Sequence, residues 1–533
     1  MALPAALVLE GAGQWVAPTA SDAAGMMLGR TVSLLETQGG ALLLAAVLYV
    51  LLNLVLAPGG LYPVHQDDYH VLGAGFGQMR LLVERPVSNN LAYVMGGLGA
   101  GFAFLLLNTL TVLAAAGALA FLSRLLSVQL RWYAVVLFAV IAFNDPSAYE
   151  HGKYLGLISN LTSHCFGIAA LLLMLKAAEA RSTGWAIPAL ATFALSAFSK
   201  EDFLLPPLLL AAFLLAKGVM RAPRVQGRGV FVRILLLGGT ITVAALSLWF
   251  NLALETPFLA GLAGGAGGQA HYALGLAPVV LAKSLMKLTV GYIPVALALG
   301  LAGGVSALIL LPRRRAEILL VGVIIFALVL PYAAIPNNSP QYRVFAWLPW
   351  LAGMAAIGTQ LLADRLQRKI VMLPWIAPLA VLIGATALFV TLRQPRMMVA
   401  GWYEEVQGAN ARMGATLGRN REAIVGLTQI GVVGIDGLSP WSNNNGEYLQ
   451  RRLGFAGSWI VFVEKDSPMF AVEPSNPIDP RAVPMGDHVF VQPLSQLCRW
   501  TGLRVLAFDK RGEGAWRTSD ELCTVASGSR IEP

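Results

Sequence analysis

Long runs of apolar residues, separated by short polar segments, dominate the first 392 residues of the chain. A helix needs roughly 20 such residues to cross a membrane, and about eleven runs approach that length. They lie near residues 40–57, 97–122, 132–143, 157–175, 184–198, 203–217, 232–252, 289–311, 316–335, 344–362 and 370–392. This pattern predicts a mainly α-helical, polytopic membrane protein with about eleven transmembrane helices.

The pattern changes after Gln394, where apolar runs become shorter and turn-forming residues more frequent. Residues 424–435, 459–463 and 489–491 have the composition of short strands. We therefore predict a transmembrane domain at 1–392 and a soluble α/β domain at 393–533. Two further stretches, 69–85 and 276–288, have the spacing of amphipathic helices that lie in the membrane interface.

The composition supports a membrane protein, because 56% of the residues are hydrophobic and only 13% are charged. Soluble proteins carry roughly 25% charged residues. The net charge of +9 would also suit a nucleic-acid-binding protein. The arginines and lysines, however, are concentrated in one set of alternate short loops, which is the pattern of cytoplasmic loops. We expect no nucleic-acid partner.

The charge asymmetry also predicts the orientation of the chain. The N-terminus is expected in the cytoplasm, without a cleavable signal peptide, and the domain at 393–533 on the other side of the membrane, in the periplasm or the extracellular space. Of the three cysteines, Cys165 falls in an apolar run. Cys498 and Cys523 lie in the C-terminal part and can form a disulfide if that part is outside the cytosol.

The densest group of titratable residues follows the first apolar run and contains His65, Asp67, Asp68 and His70. An acidic pair beside a membrane can act as a general base, bind a cation, or lie in a solvated loop. The two flanking histidines and the polar clusters in the other outer loops favour a catalytic role. Asp67 and Asp68 are therefore our candidate catalytic residues, with His65 and His70 in support.

Two other outer loops carry cations that suit a phosphate. Lys200 lies between two apolar runs and is followed by Glu201 and Asp202. Lys200 is a candidate phosphate ligand, and the two carboxylates would bind a hydroxyl or the lysine itself, unless the segment is only a charged hairpin tip. Arg343 enters the tenth run, where its planar guanidinium suits a phosphate, although snorkelling to the interface is the alternative.

Tyr342, beside Arg343, would stack on a sugar or belong to the aromatic belt of the interface. A glycine-rich stretch ends at His271 and is either a loop that orders over a substrate or a plain linker. The sequence has no metal-ligand spacing, no P-loop and no nucleophile elbow. We therefore predict neither a metal nor a cofactor.

These features together resemble the GT-C superfamily of membrane glycosyltransferases. The resemblance rests on Asp67-Asp68 in the first outer loop, the amphipathic stretch after them, about eleven spans and a C-terminal outer domain. It implies a polyprenyl-phosphate-linked sugar donor and an envelope glycan or glycolipid acceptor of the O-antigen or lipopolysaccharide type. Transfer would occur at the outer face of the inner membrane, among membrane lipids.

The resemblance further implies an inverting displacement at the anomeric carbon of the sugar. One carboxylate of the Asp67–Asp68 pair would deprotonate the acceptor hydroxyl, while Arg343 and Lys200 stabilise the departing phosphate. Two alternatives stay open. One is a transporter or flippase of lipid-linked sugars, which should place charges at midplane and show repeat symmetry. The other is an envelope polymerase or ligase that uses a pyrophosphate-linked donor.

Overall fold

The protein is predominantly helical. The computed structural model describes residues 37–55, 85–221, 227–253, 276–335, 341–370, 375–434, 457–463, 489–509 and 511–528. The helices are α1 (Gln38–Val50), α2 (Pro86–Gly97), α3 (Ala100–Leu126), α4 (Trp132–Phe143), α5 (Pro146–His151), α6 (Ile158–Ala180), α7 (Thr183–Ala197), α8 (Leu205–Arg221), α9 (Gly227–Ala253), α10 (Pro278–Met286), α11 (Pro294–Leu310), α12 (Arg315–Ala333), α13 (Leu348–Ile370), α14 (Ile376–Arg419), α15 (Arg421–Val425) and α16 (Ser519–Gly528).

Each of the eleven predicted apolar runs contains a helix, and the run at 289–311 is interrupted at Tyr292–Ile293, between α10 and α11. Six of these helices are long and apolar enough to cross a membrane, and a seventh crossing results if the bent pair α10–α11 is one span. The helices at Gly39–Asn53, Trp132–Phe143 and Thr183–Ala197 are apolar but shorter. A total of about eleven spans remains a prediction.

Of the two predicted amphipathic helices, the structure describes only the second. The stretch at 276–288 contains α10, which is bent by 91° relative to α11. The stretch at 69–85 lies outside the described residues. Immediately after it comes α2, a helix that the sequence did not predict, which packs against α3 and α6.

The helices pack into one bundle with a continuous apolar core. In it, α6 packs against α3 and α7, while α13 packs against α4 and α11. The largest buried side chains include Trp347, just before α13, and Trp350, in its first turn. The ring of Trp350 meets Phe121 of α3 edge-on, with the ring centroids 5.6 Å apart.

Helix α14 runs without a break across the domain boundary predicted at residue 393 and continues to Arg419. Its second half remains helical because apolar residues recur three or four positions apart, and Ala400, Tyr403, Val406, Met413 and Leu417 are buried. The division of the chain into 1–392 and 393–533 therefore remains a prediction, with one helix shared by the two parts.

A small five-stranded sheet follows α14, with the strand order β3-β2-β1-β4-β5. Neighbouring strands are parallel except for β4 and β5, which are antiparallel. The strands are β1 (Gln429–Val433), β2 (Ser458–Val463), β3 (Val489–Pro493), β4 (Arg504–Phe508) and β5 (Gly514–Thr518).

Three of these strands overlap the predicted ones, with one correction at the first. The run at 424–435 was predicted as a strand, but its first residues belong to α15. Only Gln429–Val433 pairs with neighbouring strands, at Ser458–Val461 and Val505–Ala507. A disulfide joins Cys498 and Cys523, so the predicted pairing is formed in the structure.

Candidate functional site

A tight turn between α7 and α8 carries the charged segment that the sequence singled out. The turn is a 3₁₀ helix at Glu201–Phe203, and Phe203 lies on the surface of α6. A Cβ at Gly167 would lie 2.1 Å from the ring of Phe203, so only glycine allows this close approach. Ser163 also donates a hydrogen bond to the carbonyl of Lys200 at 2.9 Å. These contacts fix the turn against α6.

The turn places Lys200 and Asp202 in a buried polar network. Lys200 Nζ donates to Asn160 Oδ1 at 2.9 Å and lies 3.4 Å from Asp202 Oδ2. Asp202 Oδ2 also accepts hydrogen bonds from Asn160 Nδ2 and, at 2.7 Å, from the hydroxyl of Tyr332. Burial lowers the pKa of Lys200, and the charge of Asp202 opposes that shift. Asp202 therefore binds the lysine, which is one of the two roles that the sequence left open.

Arg343 lies beside this network. A 3₁₀ helix at Gln341–Ala346 buries Val344 and Phe345, so the arginine is held close to α12. Its guanidinium carbon lies 5.3 Å from the centroid of the Tyr332 ring, in a cation–π arrangement. Tyr332 thus contacts both Arg343 and Asp202.

Tyr342 precedes Arg343 in the same 3₁₀ helix. Its ring meets Tyr154 edge-on, with the ring centroids 5.1 Å apart, and lies 6.4 Å from the ring of His151. The two candidate phosphate ligands, Lys200 and Arg343, are therefore brought together, with Tyr342 next to them.

The third cation of the site is Arg85, which ends the stretch that follows Asp67-Asp68. Arg85 Nη2 lies 3.0 Å from Glu201 Oε1, and both side chains are mostly buried. The backbone of Arg85 is left-handed, with a φ of 44°. A non-glycine residue rarely adopts this conformation unless its surroundings hold it there. The ion pair and the bond from Ser88 Oγ to the carbonyl of Ser199, at 2.7 Å, attach the start of α2 to the turn.

We define the polar network by these mostly buried side chains and by their mutual contacts. Its three cations and two carboxylates leave one excess positive charge. Its members are Arg85, Asn160, Lys200, Glu201, Asp202, Tyr332 and Arg343.

A narrow opening borders the polar network. It is lined by Asn160, Tyr332 and Arg343 and by two buried histidines, His151 and His164. His164 Nε2 has no hydrogen-bond partner among the described residues. Burial lowers the pKa of His151 to about 3, partly opposed by its bond to the carbonyl of Ser147, so this imidazole is neutral near pH 7. The neutral imidazole of His151 adds no further positive charge to the opening.

A second acidic group lies on α5. Asp145 caps this helix by accepting bonds from the backbone N–H and hydroxyl of Ser147, at 2.9 and 2.6 Å. Burial raises the pKa of Asp145 to about 6. Burial, followed by the charge of Asp145, raises the pKa of Glu150 to about 7. Glu150 therefore changes its charge in the physiological pH range.

The structure places the predicted site residues as follows. Lys200, Glu201, Asp202, Tyr342 and Arg343 lie together at one end of the bundle. Outside the described residues lie Asp67, Asp68, His65, His70 and His271. The described part of the chain contains no group of three His, Cys, Asp or Glu side chains arranged to hold a metal ion.

Sequence reasoning missed Asn160, His164 and Tyr332 as site residues. All three lie within apolar runs, at 157–175 and 316–335. Polar side chains are expensive inside a membrane span, and those that occur there usually face the interior of the bundle and serve a function. This signal was therefore present in the sequence. What the sequence lacked was any indication that the two runs meet.

The polar network and the basic loops lie at opposite ends of the bundle. Asn160 is near the first residue of α6, whereas Glu179, the partner of Arg124, is at its last turn. Nineteen residues of helix between them span about 28 Å, close to the thickness of the hydrocarbon core. The same end as the network holds Asn144, which accepts a bond from Arg396 of α14 at 3.0 Å. Helix α14 thus continues beyond the network end toward the sheet.

No protein-family model matches the chain, and no curated protein matches it. Solved structures that resemble it include the oligosaccharyltransferase of Archaeoglobus fulgidus in complex with Zn and sulfate, at 15% identity and a TM-score of 0.44. That alignment covers 78% of this chain but only 61% of the oligosaccharyltransferase.

Two structures of ArnT from Cupriavidus metallidurans also resemble the chain. The apo form is 12% identical over 95% of this chain and 96% of ArnT, with a TM-score of 0.49. The form bound to undecaprenyl phosphate is 13% identical over 92% and 95% of the two chains, with a TM-score of 0.42. These are the kinds of enzyme that the sequence resemblance named. All three TM-scores are below 0.5, so these similarities do not establish what the protein does.

Proposed function

We propose that this protein is a membrane glycosyltransferase. It would move a sugar from a polyprenyl-phosphate-linked donor to an envelope glycan or glycolipid on the outer face of a bacterial inner membrane. The observation that carries the proposal is the polar network, where Lys200, Arg343 and Arg85 outnumber Glu201 and Asp202 by one positive charge. A partly buried excess of positive charge at the end of a helical bundle suits the phosphate of a lipid-linked donor.

The network also supports the assignment of roles. Arg343 offers a planar fork of N–H donors and Lys200 a compact charge, and both would stabilise negative charge on the departing phosphate. Lys200 is held by Asn160 and Asp202, which reduces the freedom that it would lose on binding. Preorganised cations of this kind stabilise a transition state without further rearrangement.

The acceptor would be activated by the acidic pair. Asp67 and Asp68 belong to the segment that ends at Arg85, and the Arg85–Glu201 ion pair attaches the end of that segment to the network. One of the two carboxylates would take the proton from the acceptor hydroxyl, as the resemblance to the GT-C superfamily implies. We favour Asp67, because Asp68 is closer to the predicted amphipathic helix and can cap it. In this scheme His65, His70 and His271 have supporting roles near the substrate.

Two features support placing this chemistry outside the cytosol. The disulfide between Cys498 and Cys523 belongs to the part of the chain that follows α14 beyond the network end. Disulfides persist in oxidising compartments such as the periplasm. The opposite end of the bundle carries the basic residues that mark cytoplasmic loops. A reporter fused at the C-terminus should accordingly be active only if it functions in the periplasm, and cytosolic activity would contradict this topology.

The identity of the lipid product tests the function and separates the alternatives. Purified protein in nanodiscs is supplied with a polyprenyl-phosphate-linked sugar and an acceptor glycolipid, and the lipid products are identified by mass spectrometry. The proposed transferase releases polyprenyl monophosphate. Turnover of pyrophosphate-linked donors alone would identify a polymerase or ligase, and movement of donor without any chemical product would identify a flippase. Glycolipid analysis of a deletion strain would then name the sugar and the acceptor.

A further inference from the structure

A second charged site lies at the opposite end of the bundle, about one membrane thickness from the polar network. It is a cavity of about 440 Å³ between the ends of α3, α6 and α8 and the first turns of α9. We define this basic cavity by its charged lining, which consists of Arg124, Glu179, Arg181, Lys217, Arg233 and Arg314. Its remaining walls are largely apolar and include Leu125, Leu175 and Phe213.

Carboxylates neutralise only part of this charge. Arg124 Nη2 lies 2.6 Å from Glu179 Oε2. Glu317, which is buried, pairs with Lys217 and, at 3.2 Å, with Arg314. No carboxylate among the described residues pairs with Arg181 or Arg233. Five cations against two carboxylates leave three excess positive charges around one cavity.

The backbone and side chains are arranged to keep these cations in place. Arg181 ends α6 in the left-handed conformation, with a φ of 51°, and Ser127 ends α3 in the same way at 55°. Helices usually have glycine or asparagine at such positions. Here the two side chains line the cavity, and Ser127 Oγ accepts a bond from Arg314 at 2.6 Å. Replacement by glycine would relieve the backbone but remove these side chains.

Arg233 is accommodated by a glycine on the neighbouring helix. A Cβ at Gly218 would lie 2.3 Å from Arg233 Nη1, so the guanidinium lies directly across this residue. Arg233 Nε has no hydrogen-bond partner among the described residues. A basic residue that serves only to keep its loop on the cytoplasmic side does not need close packing against a neighbouring helix, because its effect on topology depends little on its exact position in the loop. A half-buried guanidinium with an unpartnered N–H favours an anionic ligand instead.

We propose that the basic cavity binds the phosphate headgroup of an anionic membrane lipid, with Arg181 and Arg233 as its principal ligands. A phosphate with a net negative charge satisfies the excess of cations, and arginine pairs with phosphate bidentately. The apolar wall formed by Leu125, Leu175 and Phe213 suits the first methylenes of an acyl chain, which a free phosphate lacks. This site is independent of sugar transfer at the polar network.

The test measures lipid binding by full-length protein in a fixed neutral detergent. Dioctanoyl phosphatidylglycerol is titrated, with dioctanoyl phosphatidylcholine and inorganic phosphate as the two comparison ligands. We expect phosphatidylglycerol to bind at least tenfold more tightly than either. Equal affinity for inorganic phosphate would overturn the assignment to a lipid, and equal affinity for phosphatidylcholine would overturn the requirement for a net anionic headgroup.

Variants locate the binding. The Arg181→Gln/Arg233→Gln double variant should weaken phosphatidylglycerol binding by on the order of tenfold to a hundredfold, since hydrogen bonds to charged groups are lost. The matched control is Arg365→Gln/Arg368→Gln, which removes two exposed arginines of α13 outside the cavity. These arginines belong to the same end, because Gln360 of α13 donates to the carbonyl of Gln129 at 2.7 Å. Binding that is equal in the two double variants would refute the site.

A third variant changes geometry without changing charge. Gly218→Ala puts a methyl group where the guanidinium of Arg233 lies, so this side chain must move while every cation is retained. We expect affinity to fall severalfold, with an unchanged melting temperature in the absence of lipid. If the guanidinium of Arg233 is displaced in Gly218→Ala and the affinity for phosphatidylglycerol is unchanged, Arg233 is not a ligand of the headgroup.

Discussion

The buried ion pair of the polar network allows the structural role of Lys200 to be separated from its proposed catalytic role. Lys200 Nζ and Asp202 Oδ2 are 3.4 Å apart, and the two side chains are 16% and 9% exposed. At that separation their attraction is about 5 kcal/mol for an effective dielectric constant of about 20, before the cost of desolvating both ions. Removing one partner of such a pair typically costs about 3–5 kcal/mol, because the other charge stays buried.

Lys200→Met should therefore destabilise the protein strongly, and Lys200→Met/Asp202→Asn much less. We expect about 3 kcal/mol for the single variant, at the lower end of the range because Asn160 and Tyr332 still donate to Asp202. The double variant removes both charges and should cost about 1 kcal/mol, about 2 kcal/mol less than the single variant. Denaturant unfolding in a mixed micelle of fixed composition measures the free energy of unfolding of both variants. Lys283→Met is the matched control, because it makes the same change at an exposed lysine.

The double variant then reports on function without the loss of stability. If Lys200 binds the donor phosphate, the folded double variant should bind the donor on the order of tenfold to a hundredfold more weakly, as expected for a lost bond to a charged group. Donor affinity and transfer equal to those of the unchanged protein would refute the assignment of Lys200. Equal stability of Lys200→Met and the unchanged protein would refute the reasoning about the buried pair.

Three further predictions follow from the site. One of the two single variants, Asp67→Asn or Asp68→Asn, should lower the rate of sugar transfer by roughly a hundredfold to ten-thousandfold, while the protein still folds and binds the donor. Normal transfer by the Asp67→Asn/Asp68→Asn double variant would show that neither aspartate is the general base. Arg343→Lys keeps the charge but loses the planar fork, so donor affinity should fall, and unchanged affinity in both Arg343→Lys and Arg343→Ala would exclude a phosphate contact. Burial raises the pKa of Glu150 from 4.5 to about 7, so the folded protein holds this proton more tightly than the unfolded chain. Stability should therefore fall as the pH rises between those values, and the fall should be smaller in Glu150→Gln; an identical pH dependence of the melting temperature in that variant would contradict the pKa shift.

The helices of the membrane part follow from the sequence because the signal is local. A run of about twenty apolar residues is helical in lipid whatever its neighbours are, since each backbone group must find its hydrogen bond within the segment. Helix α9 at Gly227–Ala253 contains the predicted run at 232–252 for this reason. The positions of Lys200 and Arg343 at the ends of apolar runs were equally visible. So was the possible pairing of Cys498 with Cys523, which needs only two cysteines in one polar segment.

Only the tertiary structure decided which helices meet and therefore what the site contains. Asn160 of α6 and Tyr332 of α12 are 172 positions apart in the chain, yet both bind Asp202. Likewise, the sequence shows that Arg181 and Arg233 are basic, but only the packing of α6, α8 and α9 places them around one cavity. Hydropathy is a property of each segment taken alone, and it locates an apolar helix along the chain without identifying its neighbours. Which helices pack together depends instead on how the side chains of two segments fit, as Phe203 fits on Gly167. That fit is a property of the pair and cannot be read from either segment alone.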